Sequence, residues 1–233
     1  NLKTNQMKKI ILAFTLISLY SLSSCSSDDD KPESTGISTG NYWPMALNNS
    51  WNFTGNLVNS QMKVVGTKRF SEKTYFEIQD DINTENDVKS YILKDGAVYF
   101  MRSDKTVVES NGIVTTIDGY EIPFFKDNLE VDDIWEGNTS ANVKYVANGQ
   151  TTNTSAKFKY KGLILATNAT ETFNDITYTD VIKMRLRIEL TILGQTSDIL
   201  VEYSFAKDVG PIRTYEVGNG MSIDRRLTSH ILN

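Results

Sequence analysis

Residues 182–192 read Ile-Lys-Met-Arg-Leu-Arg-Ile-Glu-Leu-Thr-Ile. Ile182, Met184, Leu186, Ile188, Leu190 and Ile192 alternate without a break with Lys183, Arg185, Arg187, Glu189 and Thr191. Successive side chains of a strand point to opposite faces, so a period of two sustained this long describes one strand with a dry face and a wet face. At about 3.3 Å per residue the strand is about 36 Å long, which suits a wide, curved sheet better than a compact sandwich. Ile199, Val201, Tyr203 and Phe205 supply a second dry face in Ile199–Phe205, expected to pair with the first through a connection over Gly194–Asp198.

Outward from this hairpin the β signal continues. Asp95-Gly96, Asn111-Gly112, Asp118-Gly119, Asn148-Gly149 and Asn219-Gly220 separate runs rich in Val, Ile, Thr, Tyr and Phe. Such pairs supply the positive φ angles of type I′ turns, so an antiparallel meander is expected. No stretch keeps a 3.6-residue apolar period for more than about two turns, which leaves room for at most one or two short helices, at Tyr42–Leu47 or Pro123–Leu129. Leu47-Asn-Asn-Ser-Trp51 and Val131-Asp-Asp-Ile-Trp135 share one spacing. That echo reads either as chance or as two similar sheet halves, each entered by a turn whose Trp plugs the core. The fold class is therefore all-β, a large curved antiparallel sheet in the form of a half-barrel or open barrel, occupying 41–233 as a single domain.

Before it lie two other segments. Lys8-Lys9 and the 13-residue apolar run Ile10–Leu22 read as a signal peptide over 1–24, starting at Met7 and too short to cross a membrane, which takes about 20 apolar residues. Residues 26–40 are Ser-, Thr-, Gly- and acid-rich with Ile37 as their one aliphatic side chain, so 25–40 reads as a flexible tether. With the leader go Lys3, Lys8 and Lys9, so the chain's 24 basic residues fall to 21 against 29 acidic, a net charge of −8. That balance excludes nucleic acid as a partner and electrostatic docking on anionic lipid. A single Cys excludes a disulfide framework, and a single His, His230, argues against His-based catalysis or metal binding.

Leu22-Ser-Ser-Cys25 resembles the bacterial lipobox, with Ser24 where Gly or Ala is commoner. The resemblance implies that Cys25 is acylated and becomes the first mature residue, anchoring the chain to a membrane, since several acyl chains at about 0.8 kcal/mol per buried CH₂ hold essentially permanently. Ser27-Asp28-Asp29-Asp30 resembles the surface-export signal of Bacteroidota lipoproteins; the alternative is a solvated start to the tether, with the protein on the periplasmic face of the outer membrane. Ser26 stands where an Asp retains lipoproteins in the inner membrane of some other bacteria. Tyr42-Trp-Pro-Met-Ala-Leu-Asn-Asn-Ser-Trp51-Asn-Phe53 resembles the Tyr-x-Pro-Leu-x-x-Gly-Asn-x-Trp-x-Tyr opening of uncharacterised Bacteroidota lipoproteins, and Phe205-Ala-Lys-Asp-Val-Gly-Pro-Ile-Arg213 resembles their near-terminal strand pair. Asn48 replaces the usual Gly, as Asn can at a left-handed position. The likeness implies a half-barrel like that of periplasmic lipoprotein carriers and no catalytic residue.

Several patterns invite a chemical reading. Gly36-Ile-Ser38-Thr-Gly40 matches a nucleophile elbow that His230 could complete, but the elbow needs a strand before it and a helix after it. Asp81-x-Asn83-x-Glu85-x-Asp87 has EF-hand spacing, yet Asn86 and Ile92 stand where Gly and Glu are required, so a polar turn is the better reading. Asp132-Asp133 could form half of a glycosidase pair or a turn before Trp135. Lys183, Arg185 and Arg187 make a wet-face stripe, expected to be neutralised across the strand by Glu202 and similar acids rather than to bind an anion. Tyr75, Tyr91, Tyr99, Tyr160, Tyr178, Tyr203 and Tyr215 fall in strand-like runs and are expected to pack within the sheet, or in part to form a sugar platform or line an acyl-chain groove. No nucleophile–base set, phosphate loop or Cys/His metal spacing can be assembled, so the chain reads as a non-catalytic binding module with no cofactor and no metal. An apolar or lipid-like ligand on the dry face comes first, a glycan second, and a structural envelope role third.

Overall fold

The computed structural model describes residues 35–56, 59–81, 89–110, 112–218 and 221–233. Their strands are β1 (Ser50–Gly55), β2 (Ser60–Phe70), β3 (Lys73–Asp80), β4 (Ser90–Asp95), β5 (Val98–Ser103), β6 (Thr106–Ser110) and β7 (Ile113–Ile117). They continue as β8 (Glu121–Lys126), β9 (Ile134–Ala147), β10 (Gln150–Phe173), β11 (Ile176–Ile192), β12 (Gln195–Ala206), β13 (Gly210–Gly218) and β14 (Met221–Ile231). All belong to one antiparallel sheet in the order β6-β7-β9-β10-β11-β12-β13-β14-β1-β2-β3-β4-β5-β8, which does not close into a barrel. It curls nonetheless. The Trp135 indole of β9 donates to the Pro123 carbonyl of β8 (2.8 Å), and Tyr120 stacks on Phe158 of β10 at 3.9 Å, although β8 and β9 lie near opposite ends of the strand order.

The deciding hairpin has the expected faces and a different turn. Ile182 pairs with Phe205, Met184 with Tyr203, Leu186 with Val201 and Ile188 with Ile199. The connection is only Leu193-Gly194, because Ile192 pairs with Gln195 and β12 begins there rather than at Ile199. Asn148-Gly149 is the expected two-residue turn, with φ of 50° and 75°. The β4–β5 turn is Gly96-Ala97, one residue later than expected, and the β6–β7 strands pair up to Ser110 and Ile113 around Gly112. Asp118-Gly119 closes no hairpin; it carries the chain from β7 to β8, strands that are not neighbours. Gly218 pairs with Met221, while Asn219-Gly220 lies outside the described residues.

Neither proposed helix exists. Pro123–Lys126 belongs to β8, an edge strand whose unpaired side tolerates a proline without N–H, and its phenylalanines are buried. Around Tyr42–Leu47 the chain is irregular because its polar groups have specific partners: the Tyr42 N–H donates to the Tyr99 hydroxyl (2.9 Å) and Asn49 Nδ2 to the Pro44 carbonyl (2.9 Å).

The Trp echo is a structural repeat. Asn48 and Asp132 both have left-handed φ, 69° and 70°. The Asn48 N–H donates to Val64 O (2.9 Å) and the Asp132 N–H to Ile164 O (3.0 Å); in return Val64 N–H donates to Asn49 O (2.9 Å) and Ile164 N–H to Asp133 O (3.1 Å). The strand register breaks just beyond each, at Val64/Gly66 and Ile164/Ala166. Trp51 and Trp135 follow, both buried. The sheet thus holds two successive meanders, β1–β5 with β8 and β9–β14, joined where β14 pairs with β1.

The chain is tied to the sheet before Asn41. Thr35 O accepts the Ala97 N–H (3.0 Å), the Thr39 N–H and Ser38 hydroxyl both donate to the Asp127 carboxylate (3.0 and 2.6 Å), and Lys94 closes the cluster on Asp127 at 3.1 Å. Composition placed Thr35–Gly40 in the tether; a buried carboxylate with matched donors fixes it to the sheet instead.

Candidate functional site

Long strands need something to cover their dry faces, and the dry face of this sheet is covered over part of its length only. At the end that receives the N-terminal segment, Trp43 inserts among Trp51, Phe124, Tyr203 and Phe205, with ring centroids 5.6–6.4 Å away. Phe205 stacks on Phe125 at 4.7 Å and on Tyr203 at 5.1 Å. A smaller cluster of Ala141, Val143, Ala156 and Phe158 continues the core toward the other end, where Tyr145, Ile188, Leu190 and Ile192 are only partly buried.

Beyond that cluster the dry face is open. A cavity of 380 Å³ lies at the β11–β12 tip, lined by Tyr145, Leu190, Ile192, Leu193, Gln195, Thr196 and Ser197. The register explains the opening: Leu190 faces Ser197 and Ile192 faces Gln195, so the apolar row of β11 outruns that of β12. Leu193, at the lip, is 67% exposed and has a φ of 51°. The comparable two-residue turns put Asn148-Gly149 and Asn174-Asp175 at their left-handed positions. A branched apolar side chain is strained there and gains little burial, so stability gives no reason for it.

Midway along the same face sits a charged group that the sequence reading missed. Arg225 is 6% exposed, forks onto the Asp80 carboxylate (2.8 and 2.9 Å), and donates to Ser60 (3.2 Å) and Thr214 (2.8 Å). The signal was present: Arg225 is in phase with Met221, Ile223 and Leu227 on β14, a charge at a core position. Glu216 of the same face keeps an exposed side chain, and partial desolvation raises its carboxyl pKa, with the Arg225 charge opposing and the Asp80 charge adding. Burial likewise raises the pKa of the Tyr203 hydroxyl.

The residues singled out in the sequence fall as follows. Cys25, Ser27, Asp28, Asp29 and Asp30 lie outside the described residues, as does most of the EF-hand-like stretch, 82–88. Ser38 is held by Asp127 and Lys94, with Lys94 Nζ 2.7 Å from its hydroxyl, and His230 stands elsewhere, on β14 opposite Trp51. Among the described residues no strand precedes Ser38 and no helix follows it, and its hydroxyl serves to dock this segment on Asp127. Asp132 and Asp133 form the turn before Trp135, and the Asp133 carboxylate accepts the Glu130 N–H (2.9 Å). The basic stripe is neutralised: Lys183 pairs with Glu171, Arg185 with Glu202 (2.6 Å) and Arg187 with Asp198 (2.9 Å). Tyr75, Tyr91, Tyr99 and Tyr178 are buried, while Tyr160, Tyr203 and Tyr215 are half-buried within strands. All three Trp residues, 43, 51 and 135, are buried, so none forms a sugar platform. No group of three His, Cys, Asp or Glu side chains is arranged to hold a metal among the described residues.

Comparison with known proteins gives little beyond this. No family model matches the chain, and no curated protein matches it. Two solved structures are similar. One is a candidate lipoprotein of Parabacteroides distasonis, 13% identical, with a TM-score of 0.43 over 82% of this chain and 98% of that one. The other is a candidate exported protein with a YmcC-like fold from Bacteroides fragilis, 10% identical, with a TM-score of 0.36 over 81% of this chain and 98% of that one. No residue role, ligand or location is carried over from either.

Proposed function

We propose that this chain is a membrane-anchored, non-catalytic binding module that holds an apolar or lipid-like ligand against the open end of its dry face. The observation that carries the reading is Leu193, an exposed branched side chain kept at a left-handed turn position on the lip of a cavity with Tyr145, Leu190 and Ile192 on one wall and Gln195, Thr196 and Ser197 on the other. Strain and exposure together suit contact with a ligand or its carrier, and neither stabilises the fold.

The proposed anchor is acylated Cys25, at the outer membrane. Between Cys25 and Thr35 the chain spans at most about 36 Å. Thr35 is fixed at the β4–β5 turn, and the strand order puts that turn at the opposite end of the sheet from the β11–β12 tip. Export to the cell surface, directed by Ser27 and Asp28–Asp30, is the finer part of this proposal.

Two experiments test it. Cys25→Ser should move the protein from the membrane to the soluble fraction; retention in the membrane would remove the lipid anchor from the account. Protease added to intact cells should shave the wild type and spare Asp28→Ala/Asp29→Ala/Asp30→Ala, whereas protection of both would place the protein on the periplasmic face.

A further inference from the structure

We infer that the outward face of β9, β10 and β11 carries a second binding site, for an acidic oligosaccharide. This face is the wet side of the same strands, so the site is independent of the apolar cavity. A trough of 730 Å³ crosses it, in which Lys157, Lys159 and Lys161 outnumber the two carboxylates Glu136 and Glu189, while Arg187 at its border is held by Asp198 of β12. The chain as a whole is negative, by 5 charges, so a row of three lysines along one strand of this trough runs against the composition.

The ion pairs within the trough are loose. Lys159 stands 3.7 Å from Glu189 and Lys161 3.6 Å from Glu136, with the two lysine side chains 75% and 57% exposed. One strand further into the sheet, Arg185 and Glu202 approach to 2.6 Å. Exposed pairs of the first kind hold weakly, so a ligand carboxylate or sulfate displaces them readily. Lys157 faces neutral partners on both sides, Ser140 on β9 and Thr191 on β11.

Dimensions select the ligand. Alternate residues of one strand put the three lysines about 6.7 Å apart in a row, and β9 to β11 is two strand spacings, about 10 Å. That trough accepts a single polymer chain lengthwise with a negative charge at intervals. A duplex is too broad for it, and a bilayer surface is too flat to enter it. Asn138 and Ser140 border the row, and Glu136 and Glu189 offer acceptors, which suits hydroxyl groups between the charges. Neutral hydroxyls alternating with anionic groups along a narrow chain are the chemistry of uronate or sulfated oligosaccharides.

The test is calorimetric titration of the full chain with hexagalacturonate and with a sulfated hexasaccharide at low salt, with maltohexaose as the neutral control. At least one acidic probe should bind, weakening as salt rises, and maltohexaose should not. Lys157→Gln/Lys159→Gln/Lys161→Gln should weaken binding by about tenfold or more while melting normally and leaving acyl-probe binding unchanged. In the lysine-intact chain, Glu136→Gln/Glu189→Gln should tighten it, which keeps the proposal testable if the triple variant does not fold. Equal binding of maltohexaose, an unaffected triple variant, no binding of either acidic probe, or binding only to phosphatidylglycerol vesicles or a DNA duplex would each overturn the assignment.

Discussion

Single side chains in this protein carry consequences out of proportion to their size, and the tryptophans show why. Trp51 Nε1 donates to Val209 O at 2.7 Å, whereas Trp43 Nε1 is buried without an acceptor. Replacing either by Phe loses similar apolar area, but only at Trp51 does it also strand a carbonyl. Chemical denaturation should therefore find Trp51→Phe more destabilising than Trp43→Phe by about 1–3 kcal/mol. Gly162 faces Trp135 across the β9–β10 pair, and a Cβ built there would run into the indole. Gly162→Ala should cost about 1–3 kcal/mol by overpacking and shift the tryptophan emission; an unchanged melting temperature would show that the indole yields freely. Glu216 is a case of weak pH linkage. Partial desolvation raises its carboxyl pKa, but its side chain is exposed to solvent, so stability falls only slightly as pH rises through the carboxylate range. Glu216→Gln should change the melting temperature little at neutral pH; a large gain there would show that the carboxylate is desolvated in solution.

At the scale of elements, the buried fork between Arg225 of β14 and Asp80 of β3 ties together strands that are not neighbours in the sheet. Arg225→Met leaves Asp80 charged and 13% exposed with no guanidinium, which should cost about 3–5 kcal/mol; adding Asp80→Leu should recover most of that loss. A double variant as unstable as the single one would mean that the pair does more than neutralise itself. These elements also show what the sequence made legible. Ile182–Ile192 declared its strand and its faces because period two is a strictly local property, and Glu202 was identifiable as the partner of Arg185 because pairing follows once the hairpin is assumed. The turn itself was misplaced, since Leu193-Gly194 lacks the Asn or Asp that marks a left-handed position. Pro123–Leu129 looked helical because an edge strand hides its exemption from the rule against proline. Arg225 with Asp80 could not be foreseen, because 145 residues separate them and only the β14–β1–β2–β3 order brings them together. The Trp echo was visible as spacing, but the reciprocal bonds of Val64 and Ile164 that make it a repeat belong to strands far along the chain.

For the whole molecule, the curled sheet is plugged at one end by aromatic side chains and left open at the other, with the N-terminal segment fixed at the plugged end. The central claim is that the open end takes an apolar ligand, and the most direct measurement is a titration of Cys25→Ser protein with a fluorescent fatty acid in detergent-free buffer. Saturable binding of one probe per chain, roughly micromolar, is predicted, weakened by about tenfold or more in Leu190→Asp/Ile192→Asp, a pair of partly buried positions at the cavity. Leu193→Asn should relieve the strained turn and raise the melting temperature while also weakening the probe. Absence of saturable binding, or binding equally tight in the Leu190→Asp/Ile192→Asp protein, would contradict the account.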